Sequence, residues 1–107
     1  MSHWTAAQAL EQLHAEGNEF STLFRHGSLE VEFYKPDQVD LQQPHTRDEL
    51  YVIATGHGQF IVQGRECSVQ PGDVLFVPAG AEHRFYDFSA DFGTWVFFYG
   101  PQGGEAA

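Results

Sequence analysis

The side chains of this 107-residue chain that can do chemistry gather in two stretches. The first begins at His45. Read as a strand, it turns alternate side chains to one face, so His45, Arg47, Glu49, Tyr51 and Ile53 lie together. An imidazole and a carboxylate can share a divalent cation only if they meet. A straight strand holds His45 and Glu49 about 13 Å apart, too far for one ion unless the strand bends or bulges. Spacing alone makes them candidates. The second stretch is Gly72-Asp73-Val74-Leu75-Phe76-Val77-Pro78-Ala79-Gly80-Ala81-Glu82-His83, a turn, a buried strand and a bend that deliver a His onto a new strand. There His83, Phe85 and Asp87 share a face by alternation, and Phe85 between two polar residues makes it a core face.

Other chemistry is thin. There is no GxSxG nucleophile turn and no phosphate-cradling GxxxxGK[ST], and Gly56-His57-Gly58 does not open a helix. His57 reads as a turn tip, and His3, His14 and His26 as surface residues. Cys67 is single, which excludes an intrachain disulfide and a CxxC metal site; it reads as a small buried hydrophobe.

The elements that must position these residues follow from periodicity. Thr5 and Gln8 have capping-box spacing, Ala6, Ala9, Leu10 and Leu13 recur at helical intervals, and Gly17 stands where a helix stops. Beyond Gly17 the period becomes two. Strands are expected over 19–25, 29–34, 45–55, 59–62, 66–69, 74–77, 83–88 and 94–99, with 39–43 short and polar. Eight or so short strands with turns every eight to twelve residues mean an all-β sandwich or small barrel. The expected organisation is an N-terminal helical segment over 1–17, a barrel over 18–101 and a disordered tail over 102–107.

Composition narrows the partners. Fifteen acids against five bases give a formal charge of −10, and one Lys and four Arg are scattered. Clustered cations are what phosphates require, so nucleic acid and an anionic membrane surface are excluded. No apolar run reaches the roughly 18 residues that span a bilayer. The N-terminal stretch lacks the basic start and apolar centre of a secretory signal, so a cytoplasmic setting is expected. Tyr51, Phe85, Trp95 and Phe97 read as core or as the apolar wall of a ligand pocket.

The segments PHTRDELYVIATGHGQF and PGDVLFVPAGAEHRF resemble the two motifs of the cupins, small jelly-roll barrels (double-stranded β-helices) that often hold a divalent metal. His45, Glu49 and Gly56 stand at the second His, the Glu and the Gly of the first motif. Gly72, Pro78, Gly80 and His83 follow the second motif throughout, with Asp87 at its Asn position. The resemblance covers roughly residues 40–100 and implies a single-domain conserved-barrel cupin with a short N-terminal helix. It implies that the chain bends near the first motif and that His45, Glu49 and His83 are metal ligands. Gln43 stands where the family has its leading His, so it is either a weak neutral ligand or a hydrogen bonder beside the metal. Two imidazoles and one carboxylate leave open positions and suit Fe, Mn, Ni, Co or Zn as cofactor. Arg47, Tyr51, Phe85, Asp87, Trp95 and Phe97 are the substrate-pocket candidates; Arg47 either faces outward after a bulge and is solvated or, facing inward, pairs with Asp87 or anchors a substrate carboxylate. The function implied is a metal-dependent oxygenase, isomerase or lyase acting on a small oxygenated molecule. The alternative is a non-catalytic carrier or sensor using the same cavity. Family members often pair through open sheet edges, so a homodimer is expected. The remaining acids read as a solvated exterior.

Overall fold

The computed structural model describes residues 3–106. One helix, α1 (Ala6–Glu16), precedes eight strands: β1 (Phe20–His26), β2 (Leu29–Tyr34), β3 (Asp48–Thr55), β4 (Gly58–Val62), β5 (Arg65–Val69), β6 (Val74–Val77), β7 (His83–Tyr86) and β8 (Gly93–Tyr99). The helix starts as its sequence asks. The Gln8 N–H donates to Thr5 Oγ1 at 3.1 Å and the Thr5 N–H to Gln8 Oε1 at 2.9 Å, closing the capping box. Gly17 ends it at φ 71°, a left-handed conformation that glycine adopts without strain. Thr5→Ala should cost about 1 kcal/mol, read as a lower urea midpoint at unchanged m-value.

The strands form two antiparallel sheets, β1-β2-β8-β3-β6 and β5-β4-β7, the two layers of a jelly-roll barrel. Tyr51, Ile53, Phe60, Phe85, Phe92 and Val96 pack in the core between them. A smaller core lies on the outer face of the larger sheet, where Ala9 and Leu13 of α1 cover Phe33, and Trp95 meets Phe33 edge-on at 5.0 Å. Apolar side chains therefore leave β2 and β8 on both faces. Paired residues share a face, so Val31, Phe33, Trp95 and Phe97 point outward, while Glu30, Glu32, Tyr34, Val96 and Phe98 point inward.

Four local expectations change. β3 begins at Asp48, three residues after His45, and residues 39–43 are irregular. β7 stops at Tyr86, because Asp87 takes φ 47° and leaves the strand. Cys67 is exposed, since β5 is an edge strand whose first four residues face solvent. The expected tail is tied down as far as Glu105: the Gly103 N–H donates to the Thr46 carbonyl at 2.6 Å and the Glu105 N–H to Asp48 Oδ2 at 2.8 Å. Gly56 closes the turn after β3 at φ 71°, where a Cβ would stand 2.6 Å from Phe92 Cα. That turn admits glycine alone.

Candidate metal centre

The segment before β3 is held in place by the bend that precedes β7. The Gly80 N–H donates to the His45 carbonyl at 2.7 Å, and the Ala79 N–H to Asp48 Oδ1 at 2.9 Å. The irregular backbone here supplies what a straight strand could not. His45 Nε2 lies 3.9 Å from Glu49 Oε2, and His83 Nε2 lies 3.1 Å from Glu49 Oε1. All three potential ligand atoms fall within 4.8 Å of one another. Among the described residues this is the one such cluster of His, Cys, Asp and Glu.

Its polar atoms are poorly served by the protein. Glu49 is fully buried, and among the described residues both its carboxylate oxygens and His83 Nε2 have no hydrogen-bond partner. The 3.1 Å approach brings charge attraction without the alignment of a hydrogen bond. Buried groups left this way cost free energy, so the cluster is arranged for something that occupies it. His83 Nδ1 lies 2.9 Å from the Ala81 carbonyl, which only accepts, so Nδ1 carries a proton and Nε2 is the nitrogen turned to Glu49. Burial works against a charged His83, but the Glu49 carboxylate and the Ala81 carbonyl outweigh it and hold its pKa above the ordinary imidazole value. Burial lowers the pKa of His45, with Glu49 opposing and His83 assisting. One neutral imidazole, one that gives up its proton to an incoming cation, and a carboxylate fit a divalent ion. Two donors bonded to one ion at about 2.0–2.2 Å span up to roughly 4 Å, as His45–Glu49 and His83–Glu49 do at 3.9 and 3.1 Å.

The fourth polar group at the centre is Gln42, which sequence reasoning missed by one position. Gln42 Oε1 lies 3.2 Å from His45 Nε2 and accepts from the Tyr51 hydroxyl at 3.0 Å. Gln43 is exposed and lines a second cavity of about 620 Å³, which His83 also borders. Gln42 is aimed by Asp40, a buried acid that accepts from the Gln42 N–H and side-chain amide, each at 3.0 Å. Asp40 also accepts from the Tyr34 hydroxyl and the Phe85 N–H, both at 2.8 Å. A buried acid in an irregular segment has no periodic signature, so nothing in the spacing marked it.

Beside the cluster opens a cleft of about 700 Å³ bordered by His45, Arg47, Glu30, Glu32, Tyr34, Val96 and Phe98, among others. Of the expected pocket residues, Arg47 lies in this wall, its guanidinium carbon 5.9 Å from the Phe98 ring centre and Nη1 donating to the Ser28 carbonyl. Tyr51 is buried at the cluster, and burial keeps its hydroxyl protonated as the donor to Gln42. Phe85 is core, packed on Tyr51 and Phe60. Trp95 and Phe97 are on the opposite face of β8, and Asp87 is an exposed turn residue; none of the three borders the cleft. Of the two readings of Trp95, core or pocket wall, the structure fits the first: Trp95 packs against Phe33 in the smaller core.

The reading of the acids as a solvated exterior also changes. Asp40 and Asp48 are buried, and Glu32 faces the cleft half-buried. Burial, then the neighbouring Glu30, push the Glu32 pKa from 4.5 to about 7. A carboxyl whose folded pKa is raised favours folding only while protonated. Its contribution is full below about pH 4.5 and is lost as the pH climbs to 7. Glu32→Gln should therefore be more stable than the parent by roughly 1 kcal/mol at pH 8, discounted for solvent screening, and equal to it near pH 4.5. Urea titrations at the two pH values measure the difference.

The chain is similar to known proteins. An uncharacterized protein of Streptomyces coelicolor, SCO3923, is 31% identical over 99 residues, covering 87% of this chain and 94% of its own length. Acireductone dioxygenase of Bacillus thuringiensis is 39% identical over 46 residues, which are 38% of this chain and 27% of that enzyme. The solved structure of a cupin 2 conserved barrel domain protein from Rhodopseudomonas palustris superposes with a TM-score of 0.63 at 22% identity, over 78% of this chain and 61% of that one, a likeness of fold. The profile of the family described as Cupin domain matches residues 30–91, which run from β2 through the cluster to the loop before β8. A match over more than half the chain, on the barrel that carries the cluster, makes this protein a member of the cupin family.

Proposed function

We propose that this cupin is a metal-dependent enzyme of oxygenase, isomerase or lyase type acting on a small oxygenated molecule. The observation that carries the reading is the buried, unpartnered Glu49 carboxylate and His83 Nε2, set beside a cleft that His45 borders. His45, Glu49 and His83 would hold the ion (Fe, Mn, Ni, Co or Zn), which supplies Lewis acidity or oxygen activation when bound. Gln42, whose amide oxygen lies 3.2 Å from His45 Nε2, would add an amide oxygen or a hydrogen bond at the same point, the role the sequence suggested for Gln43. Arg47, in the cleft wall, offers a guanidinium to a carboxylate or enolate oxygen of the ligand. Val96 and Phe98 exclude water from the same space. The short similarity to a dioxygenase favours the oxygenase member of the three. The proposal includes the expected homodimer, for which β1 and β6 are sheet edges carrying exposed Phe20, Val74 and Phe76. A cytoplasmic setting belongs to it as well; no helix among the described residues is long and apolar enough to cross a membrane.

The test screens 2-hydroxy acids, 1,2-dicarbonyls and enediols against the metal-loaded chain, following melting temperature and turnover together. Metal-dependent stabilisation with conversion is the expected result. Stabilisation without conversion of any of them would replace the enzyme with a carrier or sensor, and no stabilisation at all would overturn both.

A further inference from the structure

The inner face of the larger sheet can be followed in rows across β2, β8 and β3. Glu30 stands opposite Phe98, and Phe98 opposite Glu49; one row along, Glu32 stands opposite Val96, and Val96 opposite Tyr51. Neighbouring strands lie about 4.8 Å apart and paired residues share a face, so Glu30 and Glu32 face the interior roughly 10 Å from the strand that bears Glu49. Glu30, Glu32, Val96 and Phe98 of this face line the 700 Å³ cleft, which reaches the metal cluster at His45. Acids on a surface would mean nothing by themselves. Here the other wall carries His45, whose partners Glu49 and His83 are buried with their ligand atoms unpartnered. The cleft has a metal-binding wall and a carboxyl wall.

We propose that Glu32 contacts the far end of a ligand held at His45, Glu49 and His83 and exchanges a proton with one of its hydroxyl groups. This rests on the metal-centre reading above. Glu30 is engaged, accepting from Arg25 Nε at 2.7 Å. Glu32 has a long 3.5 Å bond from the Thr22 hydroxyl and lies beside the Glu30 carboxylate, which favours its protonated form; no cation pairs with it among the described residues. The groups around it are Thr22 from β1, Glu30 on its own strand and Glu49 from β3, with Glu19, Tyr34, His45 and Arg47 bordering the same cleft and β8 presenting Val96 and Phe98. Glu30 and Glu49 disfavour its charge, as burial does, and Thr22 favours it, so near neutral pH Glu32 both accepts and releases a proton. The step balances without another reactant. The Glu32 carboxylate takes the hydroxyl proton, leaving the O–H electron pair on the ligand oxygen, and the neutral carboxyl returns that proton to the same oxygen or to a neighbouring carbon.

Glycolate, ionised throughout pH 6–8, is the probe, and the visible spectrum of the Co(II)-loaded full chain reports its binding. Protonated Glu32 donates to the probe, and ionised Glu32 repels it. Wild-type affinity should therefore fall about tenfold more than that of Glu32→Gln between pH 6 and pH 8, one pKa unit of coupling being tenfold. Parallel pH profiles overturn the proposal, and so does glycolate failing to reach bound cobalt in either protein. Absence of a cobalt spectrum in both would instead overturn the metal centre. Should Glu32→Gln not fold, the Zn(II)-loaded wild type decides: the Glu32 carboxyl carbon resonance must titrate at higher pH with glycolate than without, and an unmoved titration overturns the proposal.

Discussion

Glu49→Gln should abolish the rise in melting temperature that divalent metal gives the wild type, while the metal-free variant keeps or gains stability. Metal present at a hundred times its Kd stabilises the folded chain by about 2.7 kcal/mol. For a domain of about 100 residues each kcal/mol moves Tm by roughly 4–8 °C, so the wild-type rise is on the order of 10–20 °C. The second half of the prediction separates a ligand from a structural ion pair. Breaking a buried structural pair costs about 3–5 kcal/mol, because a charge is left uncompensated. Glu49 is different: among the described residues both its oxygens already lack hydrogen-bond partners, and His83 Nε2, 3.1 Å away, is not aligned for one. A Gln amide at that position brings no charge and can donate to His83 Nε2. Thermal melts of both proteins, with chelator and with each of Mn, Co, Ni and Zn, measure the result. A metal-free variant several kcal/mol less stable, beside a wild type indifferent to metal, would make the pair structural.

Asp40→Ala should cost about 3–5 kcal/mol, a large share of the roughly 5–15 kcal/mol that holds a domain folded. The buried carboxylate accepts four hydrogen bonds, and its removal orphans the Tyr34 hydroxyl and the Phe85 N–H inside the barrel. Each such buried donor costs about 1–3 kcal/mol. The second consequence reaches the metal. Asp40 fixes Gln42, and Gln42 meets His45, so metal affinity should fall about 10–100-fold even though Asp40 is no ligand. Tyr34→Phe removes one of the four bonds and should cost only about 1 kcal/mol with metal affinity unchanged. Urea denaturation and metal titration of the two variants give the comparison. A loss below 1 kcal/mol for Asp40→Ala would show that water or backbone takes over its bonds.

The sequence carried the barrel well, and carried parts of the centre. The capping box at Thr5 and the turn residues between strands are local signals, and local physics produced the elements they announce. His83 was legible because the Pro78-Ala79-Gly80 bend and the strand after it form one short unit. His45 was legible only through family resemblance, since its approach to Glu49 depends on a long-range clamp from Ala79 and Gly80. Alternation gives a strand two faces without saying which is inner. On β8 the helix made the outer face as apolar as the inner, so the sequence left Trp95 and Phe97 open between core and pocket wall. On β2 the same helix sent Val31 and Phe33 outward and left Glu30 and Glu32 facing the cleft. Asp40 and Gln42 lie outside any repeat, and only the folded chain shows why two polar residues occupy the interior.

The ratio of metal to chain in protein purified without chelator tests the central claim most directly. One divalent transition-metal ion per chain in the wild type, and none in Glu49→Gln or His83→Ala, is the predicted result. A ratio near zero in the wild type, unmoved by adding Mn, Fe, Co, Ni or Zn, would contradict it.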